Sequence, residues 1–77
     1  MPDNKSIERM IADRGYTKTY VAKMLDVSRQ AFSRKLHGTI GWSAQDILII
    51  KDLFGLTSEE AFDIFFADRV DEATTNV

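Results

Sequence analysis

Seventy-seven residues suit one domain, near the size at which a single core only just outweighs chain entropy. With no cysteine and one histidine, the chain has neither disulfides nor a ligand cluster, so no metal or other cofactor is expected. The net charge of −2 is unevenly spread: eight bases against three acids give +5 from Lys5 to Thr39, two bases against eight acids give −6 from Ile40 to Val77, and Asp3 adds the remaining −1.

The chain opens with Asp3, Asn4 and Ser6 as alternative N-caps, followed by Ile7, Met10 and Ile11 at the spacing of one helical face, ending at Gly15. Tyr16 precedes Thr17, which caps a second helix from Lys18 to Leu25, and Val21 stands where a hydrophobic staple needs it. Tyr20, Val21, Met24 and Leu25 form the expected inward stripe, with Ala22 the small residue that lets the next helix approach. Asp26 and Val27 are too short a break for an independent loop. The second helix and a third, capped by Ser28 and running from Arg29 to His37, therefore meet at a steep angle as a helix-turn-helix.

At 100° per residue the third helix divides into two arcs. With Arg29 at about 0°, Ser33 falls near 40°, His37 near 80°, Gln30 near 100° and Arg34 near 140°, an entirely polar side. Ala31 near 200°, Phe32 near 300° and Leu36 near 340° form a side that can be buried, with Lys35 at about 240° the one misfit. Arg can fork onto guanine, Gln onto adenine, and Ser onto base or phosphate, so the polar arc has the chemistry of a base-reading helix. The surrounding basic half suits phosphate binding, and the acidic half would be repelled by a duplex and so help fix orientation. Gly38 closes the helix.

A connection through Gly38-Thr39-Ile40-Gly41-Trp42 leads to Ser43 and Asp46, a capping box for a fourth helix over Ala44 to Phe54. Ile47, Leu48, Ile49, Ile50, Leu53 and Phe54 surround most of its axis, which places it centrally or at an interface. Gly55 stops it, and Thr57 with Glu60 caps a fifth helix from Ser58 to about Arg69. Phe62, Phe65 and Phe66 share one side and are expected to complete the core, while Ile64 points nearly opposite to Phe62. To the extent that they stay exposed, Ile64, Phe65 and Phe62 are the candidate surface for a protein partner. Residues 70–77 lack periodicity and read as a mobile tail, leaving about 4–69 as the ordered part of a single domain, 1–77.

The stretch Thr17 to Gly38, TKTYVAKMLDVSRQAFSRKLHG, resembles the helix-turn-helix of the lambda-repressor and Cro family of phage and bacterial transcription regulators. Ala22, Leu25, Val27, Ser28, Phe32 and Gly38 fall where that pattern has a small residue, core residues, a helix cap and a closing glycine. The resemblance runs from Ile7 to about Arg69 in helix order and implies an all-α, compact five-helix lambda-repressor-like domain. Two positions depart from the pattern: Asp26 stands at the usual turn glycine, and Lys35 stands at a usually apolar place, with Leu36 taking the inward role.

What the resemblance implies is a small operator-binding regulator, Cro-like or repressor-like, acting on double-stranded DNA, typically as a homodimer. By position, Arg29, Gln30, Ser33 and Arg34 become candidate base contacts, and Lys18, Ser28, His37 and Thr39 candidate phosphate contacts. Two alternatives use the same fold: an antirepressor-like module that binds a heterologous repressor protein through the fourth and fifth helices, and an antitoxin. Ser33 and His37 lie one turn apart but have no orienting carboxylate beside them in sequence, so an enzyme is not expected. Nor is a small-molecule ligand expected. No apolar run approaches the roughly 20 residues of a membrane span and MPDNKS lacks the apolar core of a signal peptide, which points to the bacterial cytoplasm, on the nucleoid when bound.

Overall fold

Five helices make up residues 2–67, the part of the chain that the computed structural model describes: α1 (Asn4–Asp13), α2 (Lys18–Met24), α3 (Arg29–His37), α4 (Ala44–Phe54) and α5 (Ser58–Phe65). Each starts behind a side chain that accepts a hydrogen bond from the backbone N–H three residues on. These caps are Asp3, Thr17, Ser28, Ser43 and Thr57. At α4 and α5 the bond is reciprocated, because Asp46 and Glu60 accept from the cap's own N–H. At the other ends, Gly38 and Gly55 take the left-handed backbone, φ 83° and 65°, that stops α3 and α4.

The core is drawn from all five helices. Ile7 and Ile11 meet Val21, Ala22 and Leu25, and beside them lie Phe32, Leu36, Ile50, Phe54, Ala61 and Phe65. Trp42, in the connection between α3 and α4, joins distant parts of this cluster: it lies edge-on to Phe32 at 6.1 Å and to Phe65 at 5.8 Å. Its indole N–H donates to Asn4 Oδ1 (2.9 Å), and Asn4 Nδ2 donates to the Lys35 carbonyl (3.3 Å), so α1, α3 and the connection share one polar joint. Arg14 crosses to the end of α4, donating to the Phe54 carbonyl (3.0 Å) with its guanidinium over the Phe54 ring.

Lys35, the misfit of the buried arc, is itself buried. Its ammonium donates to Asp46 Oδ2 at 2.6 Å and to the Gly41 carbonyl at 3.2 Å, and lies 5.8 Å from the centre of the Trp42 ring. A charge can occupy that side of α3 because α4 supplies an equally buried carboxylate there.

Several expectations need correction. On α2 only Val21 and Leu25, one turn apart, point into the core, with Ala22 beside them; Tyr20 and Met24 fall about 100° to the side and are exposed. Tyr20 instead lies against Tyr16, the two rings 5.2 Å apart and tilted by 36°, and Tyr16 also meets Phe54. On α5 the inward line is set by Ala61 and Phe65. Phe65 is therefore core and drops out of the candidate partner surface, whereas Phe62, about 100° from Ala61, is exposed and stacks on Phe66. Ile64, about 60° to the other side, is half-buried against the core instead of standing free. The three phenylalanines thus do not complete the core together. Helix α5 is also shorter than expected, because Phe66 leaves the helical region (φ −124°, ψ 34°). Arg69 and the tail expected from Val70 lie outside the described residues.

Candidate nucleic-acid interface

Helices α2 and α3 are joined across Leu25 to Ser28. Asp26 takes the left-handed backbone at φ 58°, the one non-glycine to do so among the described residues, and the Val27 N–H returns to the Ala22 carbonyl at 3.0 Å. Ala22 is buried where α3 arrives, as a close helix–helix approach requires. Ser28 then starts α3, its hydroxyl oxygen accepting from the Ala31 N–H.

Arg29, Gln30, Arg34 and His37 are exposed along one side of α3 and Ser33 is half-buried among them, while Phe32 on the opposite side is 0% exposed. The four candidate base contacts therefore share one open face. Arg29 is partly held: its Nε donates to Thr19 Oγ1 at 3.2 Å, which leaves both terminal nitrogens of the guanidinium for an outward contact. Thr19 had no signal in the sequence, since its partner lies ten residues on, across the turn.

Of the four candidate phosphate contacts, Ser28 starts α3 beside the turn, Lys18 starts α2 at the end away from the turn, and His37 and Thr39 lie at the far end of α3. All four are exposed. The Thr39 N–H is already given to the Arg34 carbonyl (2.9 Å), which leaves its hydroxyl for a ligand. Lys18 makes an exposed ion pair with Glu8 at 3.0 Å, a bond worth little and readily exchanged for a phosphate. The bases of the first half are thus not equivalent. Lys35 is paired internally and Arg14 is spent on the end of α4, so Arg29, Arg34 and Lys23 are the exposed bases of the helix-turn-helix unit besides Lys18.

Among the described residues, the three acids held below their ordinary values, Asp46, Asp3 and Glu60, stand at helix starts. Burial pushes the Asp46 carboxyl up, but hydrogen bonds from Lys35 and the Ser43 N–H, with the charge of Lys35, outweigh it and hold the group below its ordinary value. The Ser6 hydroxyl and N–H lower Asp3, and the Thr57 N–H and hydroxyl lower Glu60. None of the three stands on the open face of α3. Among the described residues no helix is long and apolar enough to cross a membrane.

Comparison with curated proteins and with solved structures returns no match. A family model does match: that of the Cro/C1-type HTH DNA-binding domain, over residues 6–66, which spans α1 through α5 and holds the turn at Asp26 and the open face of α3. On that match the chain belongs to the Cro/C1-type helix-turn-helix DNA-binding family.

Proposed function

We propose that this chain is a small transcription regulator, of the Cro-like or repressor-like kind, that recognises a duplex operator by laying α3 in the major groove. Arg29, Gln30, Ser33 and Arg34 address base edges, and Lys18, Ser28, His37 and Thr39 hold the flanking phosphates. The observation that carries the reading is the division of α3: an open side of Arg, Gln, Ser and Arg, backed by a Phe32 with no exposed surface. A helix anchored in that way can enter a groove without exposing its core.

The free bases on this face are few, so one copy binds weakly and two copies on adjacent half-sites supply the affinity. Symmetric half-sites then lie about 34 Å apart, one turn of DNA. The competing partner-protein reading is left with Leu48 on α4 and with Phe62 and Phe66, now that Phe65 belongs to the core and Ile64 is half-buried. Selection of bound duplexes from a random pool, followed by sedimentation with the enriched sequence, tests the proposal. A recurring motif bound by two copies supports it; a pool that stays random after repeated selection rejects it.

A further inference from the structure

Three groups from one short stretch surround the Lys35 ammonium: Asp46 Oδ2 at 2.6 Å, the Gly41 carbonyl at 3.2 Å and the face of Trp42. The same Asp46 oxygen accepts the Ser43 N–H at 2.9 Å, so the atom that caps α4 also holds α3. Stability alone is a poor reason for such an arrangement, because removing both charges from water offsets most of their attraction. Direction is the better reason. An ammonium must meet its acceptors within about 3 Å, whereas an apolar side chain tolerates sliding.

Geometry around the α3 axis shows what the direction controls. Phe32 and Leu36 lie within about 40° of each other and define a single line of apolar contact, about which the helix could roll. Lys35 is set about 60° beyond Phe32 and ties down that flank. Arg34, the next residue back, is about 100° further round, on the open face. A roll of about 20° would carry a side-chain tip 5–6 Å from the axis through about 2 Å, enough to lose a hydrogen bond to a base.

We infer that Lys35 and Asp46 form a positioning pair that fixes the roll of α3, and through it which base edges Gln30 and Arg34 reach; this rests on the reading that α3 enters the major groove. Neither residue touches DNA. Both act through the helix between them and the groove.

The test measures affinity for the selected operator, for each of its single-base variants and for a random duplex, using the full chain and its Lys35→Met and Asp46→Asn variants. Circular dichroism confirms folding at the assay temperature. Expected for either variant is random-duplex binding within about twofold of the parent and a selected-to-random ratio lowered about tenfold. The loss should concentrate at the base pairs that Arg34→Ala also relaxes, and the double variant should be no worse than the singles. In the parent, nitrogen-detected spectra should show a slowly exchanging Lys35 ammonium that Asp46→Asn removes. A merely structural pair would lower the folded fraction and leave base preference intact, and that result overturns the inference. If neither variant folds, the pair is a folding element and the positioning role is rejected. Failure of the functional reading is distinguishable, since the parent itself would then show no base preference.

Discussion

Lys35 and Asp46, eleven positions apart, share a 2.6 Å hydrogen bond inside the protein, made to the carboxylate oxygen that also receives the Ser43 N–H. Breaking it from one side leaves a buried charge unmatched, which is far more costly than never having built the pair. Lys35→Ala should therefore destabilise the fold by about 3 kcal/mol, with a further loss from the packing of its stem on Trp42. Urea unfolding of the two proteins measures this directly. A change below about 1 kcal/mol would mean that Asp46 is already satisfied without the lysine.

The same carboxylate makes stability depend on acid. Asp46 and Asp3 titrate below their ordinary value of 3.8 in the folded chain, so the unfolded chain binds more protons as the pH falls. Their contribution is complete above the ordinary carboxylate range and is lost as the pH drops through it toward the lower folded-state values. The urea midpoint should be level near neutrality and fall between about pH 5 and about pH 3, and the fall should be shallower in Asp46→Asn. A variant whose profile parallels that of the parent would contradict the assignment.

Asp26 holds the turn between α2 and α3 at φ 58°. Valine there must adopt a backbone its branched side chain resists, so Asp26→Val should cost about 2 kcal/mol. Glycine relieves the strain but frees the unfolded chain, and the balance should leave Asp26→Gly more stable by about 0.5 kcal/mol. Thermal melts of the three proteins test the order Gly, Asp, Val; valine melting at or above the parent would show that the turn does not need the left-handed region.

Two phenylalanines on one helix should respond very differently to truncation. Phe65 is 4% exposed and meets Trp42, whereas Phe62 is 47% exposed and stacks on Phe66. Phe65→Ala should cost about 3–5 kcal/mol and Phe62→Ala less than about 1 kcal/mol in dilute protein. Equal losses would place Phe62 in a buried contact of its own.

The features that were legible in the sequence are those set within one turn of chain. Thr17, Ser28, Ser43 and Thr57 cap the helices they precede because a cap reaches only three residues on, and α4 runs over Ala44–Phe54 for the same reason. The open face of α3 follows from periodicity alone, and so does the burial of Phe32 and Leu36. What the sequence left undecided depends on which other element arrives. Lys35 looked misplaced because its partner comes from another helix, and the Arg29–Thr19 bond likewise spans the turn. On α2 and α5 the apolar residues outnumber the positions that neighbours cover, so period alone could not say that Val21 and Phe65 would be enclosed and that Tyr20 and Phe62 would not.

Binding of the selected operator by the parent, Arg34→Ala and Lys18→Ala, titrated at two salt concentrations, bears most directly on the role of α3. Arg34→Ala should weaken binding by about 1–3 kcal/mol and relax the preference at particular base pairs, while Lys18→Ala should weaken every sequence alike and flatten the salt dependence. If Arg34→Ala binds the operator with unchanged affinity and unchanged base preference, the open face of α3 does not read DNA.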